Sequence, residues 1–70
     1  MSEYVVIYER ADDGGWGAYL PDLPGVVALG KSRAEAAEGI RRALEAYADD
    51  LNRHGDSLPE PLHEVGMISA

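Results

Sequence analysis

The stretch from Trp16 to Ile40, WGAYLPDLPGVVALGKSRAEAAEGI, sets a strand, a rigid turn, a second strand and a capped helix in immediate succession, and so leaves the chain few ways to fold. Pro24 and Gly25 stand as the central pair of a type II turn: proline presets the first dihedral, and glycine accepts the positive φ that other side chains resist. Leu23 and Val26 flank that turn. After Val26 to Leu29, Gly30 and Lys31 release the chain into Ser32, and Glu35 three residues on completes an S-x-x-E capping box. The helix is therefore predicted to begin at Arg33.

The same logic extends in both directions. From Glu3 to Arg10, alternation puts Tyr4, Val6 and Tyr8 on one strand face and Val5 and Ile7 on the other, which reads as a central strand covered on both sides. Asp12-Asp13-Gly14-Gly15 supplies residues that tolerate positive φ and closes a hairpin into Trp16 to Leu20; Val26 to Leu29 is the third strand of the meander. Along the helix, Ala37, Ile40, Leu44, Tyr47 and Leu51 recur at spacings of three and four, widened by Ala36, Ala43 and Ala48 into a broad apolar face that must lie on the sheet. Glu38 with Arg42, Arg41 with Glu45 and Asp49 with Arg53 are four-residue pairs on the wet side. Arg53 and His54 suit the negative end of the helix dipole, and Gly55 is the expected left-handed residue that ends it. Gly39 inside the helix implies close approach to the sheet. Pro59 and Pro61 stiffen the return, and Leu62 to Ser69 is expected to form a last strand, carried by a right-handed crossover to lie parallel beside the first.

Seventy residues make one domain, 1–70, because a second core could not be built from so little chain. A core of this size contributes only about 3 to 5 kcal/mol net, so oligomerisation or a partner is a natural expectation, with a two-fold homodimer the commonest closed form. A helix also covers only one face of a sheet, so the apolar residues on the other face must be wet, self-associated or bound by a partner. There are no cysteines, no basic leader and no long apolar run, which points to a cytoplasmic protein that is neither secreted nor inserted in a membrane. Thirteen Asp and Glu against six Lys and Arg give a net charge of -7, which repels phosphate backbones and favours basic partners.

Several patterns imitate catalytic chemistry. Gly25 to Ser32, GVVALGKS, satisfies the phosphate-loop pattern G-x-x-x-x-G-K-[ST]. A phosphate cradle must curl its amides inward, whereas Val-Val-Ala-Leu favours an extended strand, so Gly25 reads as a turn, Gly30 as a strand exit and Ser32 as a cap. His54, Asp56, His63 and Glu64 could be nominated as metal ligands, yet a helix terminus and a strand start explain the histidines. With no Cys or Thr, and every Ser either locally explained or near an end of the chain, a covalent nucleophile is not expected, nor is a metal or cofactor.

The Tyr/Val first strand, the acidic Gly-rich hairpin, Pro21-Asp22-Leu23-Pro24-Gly25 and the Ala- and Glu-rich segment Ser32 to Tyr47 together resemble the HicB family of antitoxins, over nearly the whole chain. Two departures stand out. Val26 occupies a position where many members place a Cys, and the chain ends at Ala70 without the DNA-binding segment common in the family. The resemblance implies an α+β fold of order β-β-β-α-β, a truncated RNase H-like domain. Active enzymes of that superfamily hold metal with carboxylates, but the first strand here is centred on Val5-Val6-Ile7, and Glu9, Glu38 and Glu64 show no convergent spacing. The resemblance further implies that the chain binds a small basic HicA-type RNA-cleaving toxin and occludes its RNA-handling face; the net charge and the missing segment lead to an expectation of no direct DNA contact, and the lack of a phosphate cradle or carboxylate set to one of no catalysis. Candidate toxin contacts are Asp12, Asp13, Trp16 and Asp22 in the hairpin and loop, with Glu38, Glu45 and Asp49 on the helix. An orphan homo-oligomeric scaffold of the same fold, with no toxin, is the competing reading.

Overall fold

A computed structural model describes residues 3–70 and contains three strands followed by one helix: β1 (Ile7–Arg10), β2 (Trp16–Tyr19), β3 (Val27–Gly30) and α1 (Arg33–Arg53). The strands form an antiparallel meander in the order β1-β2-β3, with Ile7 opposite Tyr19 and Tyr19 opposite Val27. The hairpin between β1 and β2 is closed by the acidic turn, where the Asp13 carboxylate accepts the Gly15 amide at 2.8 Å and Gly14 takes a φ of 89°.

The link from β2 to β3 is two consecutive tight turns. Leu23 N–H donates to the Leu20 carbonyl and Val26 N–H to the Leu23 carbonyl, both at 3.1 Å, with Gly25 at φ 96° as the type II turn requires. This folding buries Leu20, Leu23 and Val26, so the loop supplies half of the fully buried core, the rest being Ala18, Ala36 and Ile40. Each buried Leu, Val or Ile side chain contributes about 1.5 to 3 kcal/mol of transfer free energy.

Ser32 caps α1 as expected: its Oγ accepts the Glu35 amide at 3.1 Å. The returning arm of the box reaches one residue further, from the Lys31 amide to Glu35 Oε1 at 3.2 Å. The C-terminus is a Schellman motif, with Asp56 N–H donating to the Leu51 carbonyl, Gly55 N–H to that of Asn52, and Gly55 at φ 79°. Close packing of helix on sheet needs its glycines. A Cβ on Gly39 would lie 3.1 Å from that of Ala28, and one on Gly30 would lie 2.6 Å from the Ala36 backbone nitrogen.

Two expectations require correction. The fourth strand is not formed: Leu62–Ser69 makes no ladder with β1, and among the described residues the sheet has three strands. As a result β1 is an edge strand, not a central one. It also starts late, at Ile7, because β2 ends at Tyr19, where Leu20 turns into the loop, and Tyr4–Val6 have no residues opposite them to pair with. Tyr4, Val6 and Tyr8 nonetheless share the helix-side face and pack against the core, as the alternation required. Val27 to Gly30, the centre of the phosphate-loop pattern, is the extended strand β3, and Ser32 is a cap.

Candidate functional site

The seven candidate contact residues fall in four places. Asp12 and Asp13 lie at the tip of the β1–β2 hairpin, and Asp22 lies in the loop at the opposite end of β2. Glu38, Glu45 and Asp49 run along the outer face of α1, a rise of about 16 Å from first to last at 1.5 Å per residue. Trp16 opens β2 on the helix side of the sheet, half-buried against the core, with the Arg10 guanidinium 5.2 Å from its ring centroid. The parallel pair one row along is Arg33 over Tyr8 at 4.2 Å, which ties the first turn of α1 to β1.

The helix face is a charge network centred on Arg41, which bridges Glu38 at 2.5 Å and Glu45, while Arg42 approaches Glu38 at 3.4 Å. Hydrogen bonding from Arg41 holds the Glu38 carboxyl below its usual value, and the same contacts raise Arg41. These groups are exposed, so each pair is worth little to stability. Asp49 makes no ion pair among the described residues, the expected bridge to Arg53 being absent. The face therefore offers Asp49 as a free carboxylate beside two that Arg41 already engages.

Asp22 does something that sequence reasoning missed. Its side chain is only 4% exposed and accepts the Leu62 amide at 3.1 Å, the His63 amide at 3.3 Å and the His63 Nδ1–H at 2.6 Å. The His63 hydrogen bond leads the causes that hold the Asp22 carboxyl below its usual value, outweighing partial desolvation. Beside it, the Tyr4 hydroxyl donates to the Pro59 carbonyl and Leu58 packs against the core. Burial, with the nearby negative charges of Glu60 and Asp22, raises the Tyr4 phenol. Together these contacts form a clasp that pins residues 58–63 across the mouth of the Pro-Gly loop. A carboxylate inside the first of two tight turns, with prolines on either side, is the local signal for it. Its partners lie 40 and 41 residues away, beyond the reach of any local pattern.

On the face away from α1, Ile7, Tyr19, Val27 and Leu29 form an apolar surface, and Gly17 between Glu9 and Leu29 leaves a trough of 540 Å³. Among the described residues no three His, Cys, Asp or Glu side chains gather into a metal-binding group. Glu9 belongs to this far face, Glu38 to the helix and Glu64 to the segment beyond the clasp. No helix among them is long and apolar enough to cross a membrane.

The meander and its single covering helix define a small α+β protein whose most organised polar contacts hold its own chain in place. A family model described as the HicB-like antitoxin of bacterial toxin-antitoxin systems matches residues 4–69. The chain belongs to that HicB-like antitoxin family. A UPF0150 protein of Thermoplasma acidophilum is 35% identical over 68 residues, covering 97% of this chain and 99% of its own. A UPF0150 protein of Synechocystis is likewise 35% identical over 68 residues, at 96% and 94% coverage, and one of Helicobacter pylori is 45% identical over 40 residues, at 57% and 56%. No solved structure matches the chain.

Proposed function

We propose that this protein is the antitoxin of a toxin-antitoxin pair and acts in the cytoplasm by binding a small basic HicA-type toxin, covering the surface with which that toxin handles RNA. The observation that carries the reading is the family match across residues 4–69. The charge supports it: at -7 the chain is suited to meet a basic protein and ill suited to approach RNA or DNA directly. Inhibition is by occlusion, with no bond made or broken by the antitoxin. The acidic hairpin tip, Asp12 and Asp13, and the helix carboxylates Glu38, Glu45 and Asp49 steer the encounter. Asp49, with no ion pair to give up, is the helix carboxylate best placed to meet a toxin cation. Trp16, half-buried beside Arg10, is the aromatic candidate for the centre of the contact. Asp22 contributes indirectly, by holding residues 58–63 in place.

Co-expression with the product of the adjacent reading frame, followed by purification, tests the reading. A stable complex with a small basic protein, whose growth arrest this chain relieves, is the expected result. The association rate should fall with added salt and fall again in Asp49→Asn, because opposite charges accelerate encounter more than they hold the complex. Trp16→Ala, if still folded by circular dichroism, should dissociate faster, at a cost of about 2 kcal/mol. Failure to bind the neighbour when both proteins are folded would favour the orphan scaffold.

A further inference from the structure

Beyond the clasp, the chain carries an uncovered apolar segment, and its sheet has open edges. Val65, Met67 and Ile68 are 70%, 96% and 97% exposed, and Val65 to Ala70 contains no charged side chain. The fold is extended in consequence, with a radius of gyration of 13.5 Å against about 11 Å for a compact chain of this length. The sheet ends in two open strands of different character. β1 carries Glu9 and Arg10, the kind of edge charges that discourage a further strand, whereas β3 is Val-Ala-Leu-Gly and carries none. On β3, Val27 and Leu29 are 62% and 86% exposed, two residues apart on the face away from α1. Val65 and Met67 have the same two-residue spacing.

We propose that Val65–Ser69 adds as a strand to the β3 edge of a second copy, with Val65 and Met67 beside Val27 and Leu29, each copy giving one segment and receiving one. Such an exchange is self-complementary and closes as a two-fold dimer. Charge selects this occupant over a basic one. Two chains of net charge -7 repel each other over most of their surfaces, and segment and edge are both neutral, so they meet without that penalty. These neutral surfaces offer a basic toxin no charge to meet, whereas the acidic hairpin and helix do. The Asp22 clasp sets where the segment leaves its own domain, and backbone hydrogen bonds to the β3 edge supply the attraction, as in strand addition generally. The exchange also places the missing fourth strand between molecules, where the resemblance had implied one within the chain.

The chain has no cysteine, so a pair of single-cysteine variants tests the exchange cleanly. Leu29→Cys and Met67→Cys alter exposed positions and should fold normally. Mixed and oxidised, they should give the mixed disulfide dimer well in excess of either homodimer, since directly opposed strand residues fall within disulfide reach. Sedimentation of the unmodified chain should show a dimer whose dissociation constant rises at least tenfold in Met67→Glu. Three results would overturn the proposal: an intramolecular bond in the double variant, a monomer at several hundred micromolar, or a dimer indifferent to Met67→Glu. None of these measurements requires the toxin reading to hold, so the two stand or fall separately.

Discussion

Two segments of this chain are punctuated by paired prolines, Leu20–Val26 with Pro21 and Pro24 and Leu58–Leu62 with Pro59 and Pro61, and they behave in opposite ways. The first closes on itself: its backbone makes two successive i to i+3 hydrogen bonds, and three of its side chains reach the core. The second makes no backbone turn of its own and is held by groups belonging to other parts of the chain, Tyr4 and Asp22. Proline restricts both, but only the first has a glycine in the left-handed region and apolar residues at the spacing that lets the turn bury them. A rigid loop thus becomes part of the core and, through the covered carboxylate of Asp22, the anchor for a segment that could not fix itself.

Truncating one leucine in each segment tests that contrast with the largest effect. Leu23→Ala removes a buried side chain and should cost about 2 to 5 kcal/mol, enough to unfold much of a domain this small in a thermal melt. Leu62→Ala, at an exposed position, should shift the melting midpoint very little. Equal losses would erase the distinction between the loop and the clasped segment.

Gly30→Ala comes next. The new methyl would meet backbone, not a yielding side chain, where β3 hands over to α1, and a cost of about 2 kcal/mol, or roughly 10 °C in Tm, is expected. An unchanged Tm would show that the helix can shift away from the sheet and that the tight junction is not needed.

The clasp itself should be sensitive to acid. Because the Asp22 carboxyl sits below its usual value in the folded chain, its contribution is complete above the ordinary carboxylate pKa and is lost as pH falls through the lowered one. The Leu62 and His63 amides should therefore be released only in acid, as Asp22 gains its proton below the ordinary carboxylate range, while those of β2 stay in place. Asp22→Ala should produce the released resonance positions at neutral pH. A contact that Asp22→Ala leaves in place at neutral pH would mean that Asp22 does not govern it.

The smallest effect is expected at Gly39. An exposed helical glycine replaced by alanine gains up to about 1 kcal/mol, but here the methyl would press on Ala28, so Gly39→Ala should be close to neutral. A full gain would show slack between helix and sheet.

How much of this was legible follows the same division. The type II turn, the Ser32 cap and the Gly55 terminus depend on neighbours within a few residues, and all are present in the structure; the close approach at Gly39, a contact between elements, was signalled by a glycine in mid-helix. Leu62–Ser69 alternates well enough to read as a strand, but a strand exists only with a partner edge, and no local pattern says which edge, or whose. The role of Asp22 was hidden for the same reason: the motif marks a turn, while the amides it holds lie far along the chain. Of the remaining candidate contacts, pairing with Arg41 and Arg42 could be read from four-residue spacing, whereas the depth of Trp16 depended on how the helix settles over the sheet.

Amide hydrogen exchange on the dilute, monomeric chain, resolved residue by residue, tests the contrast most directly. Strong protection in β2, through Leu23 and Val26 and along the first half of α1, with local protection at Leu62 and His63 and none from Val65 to Ser69, is the expected pattern. Protection from Val65 to Ser69 comparable to that of β2 in the monomer would contradict it, because the segment would then be pairing with its own sheet.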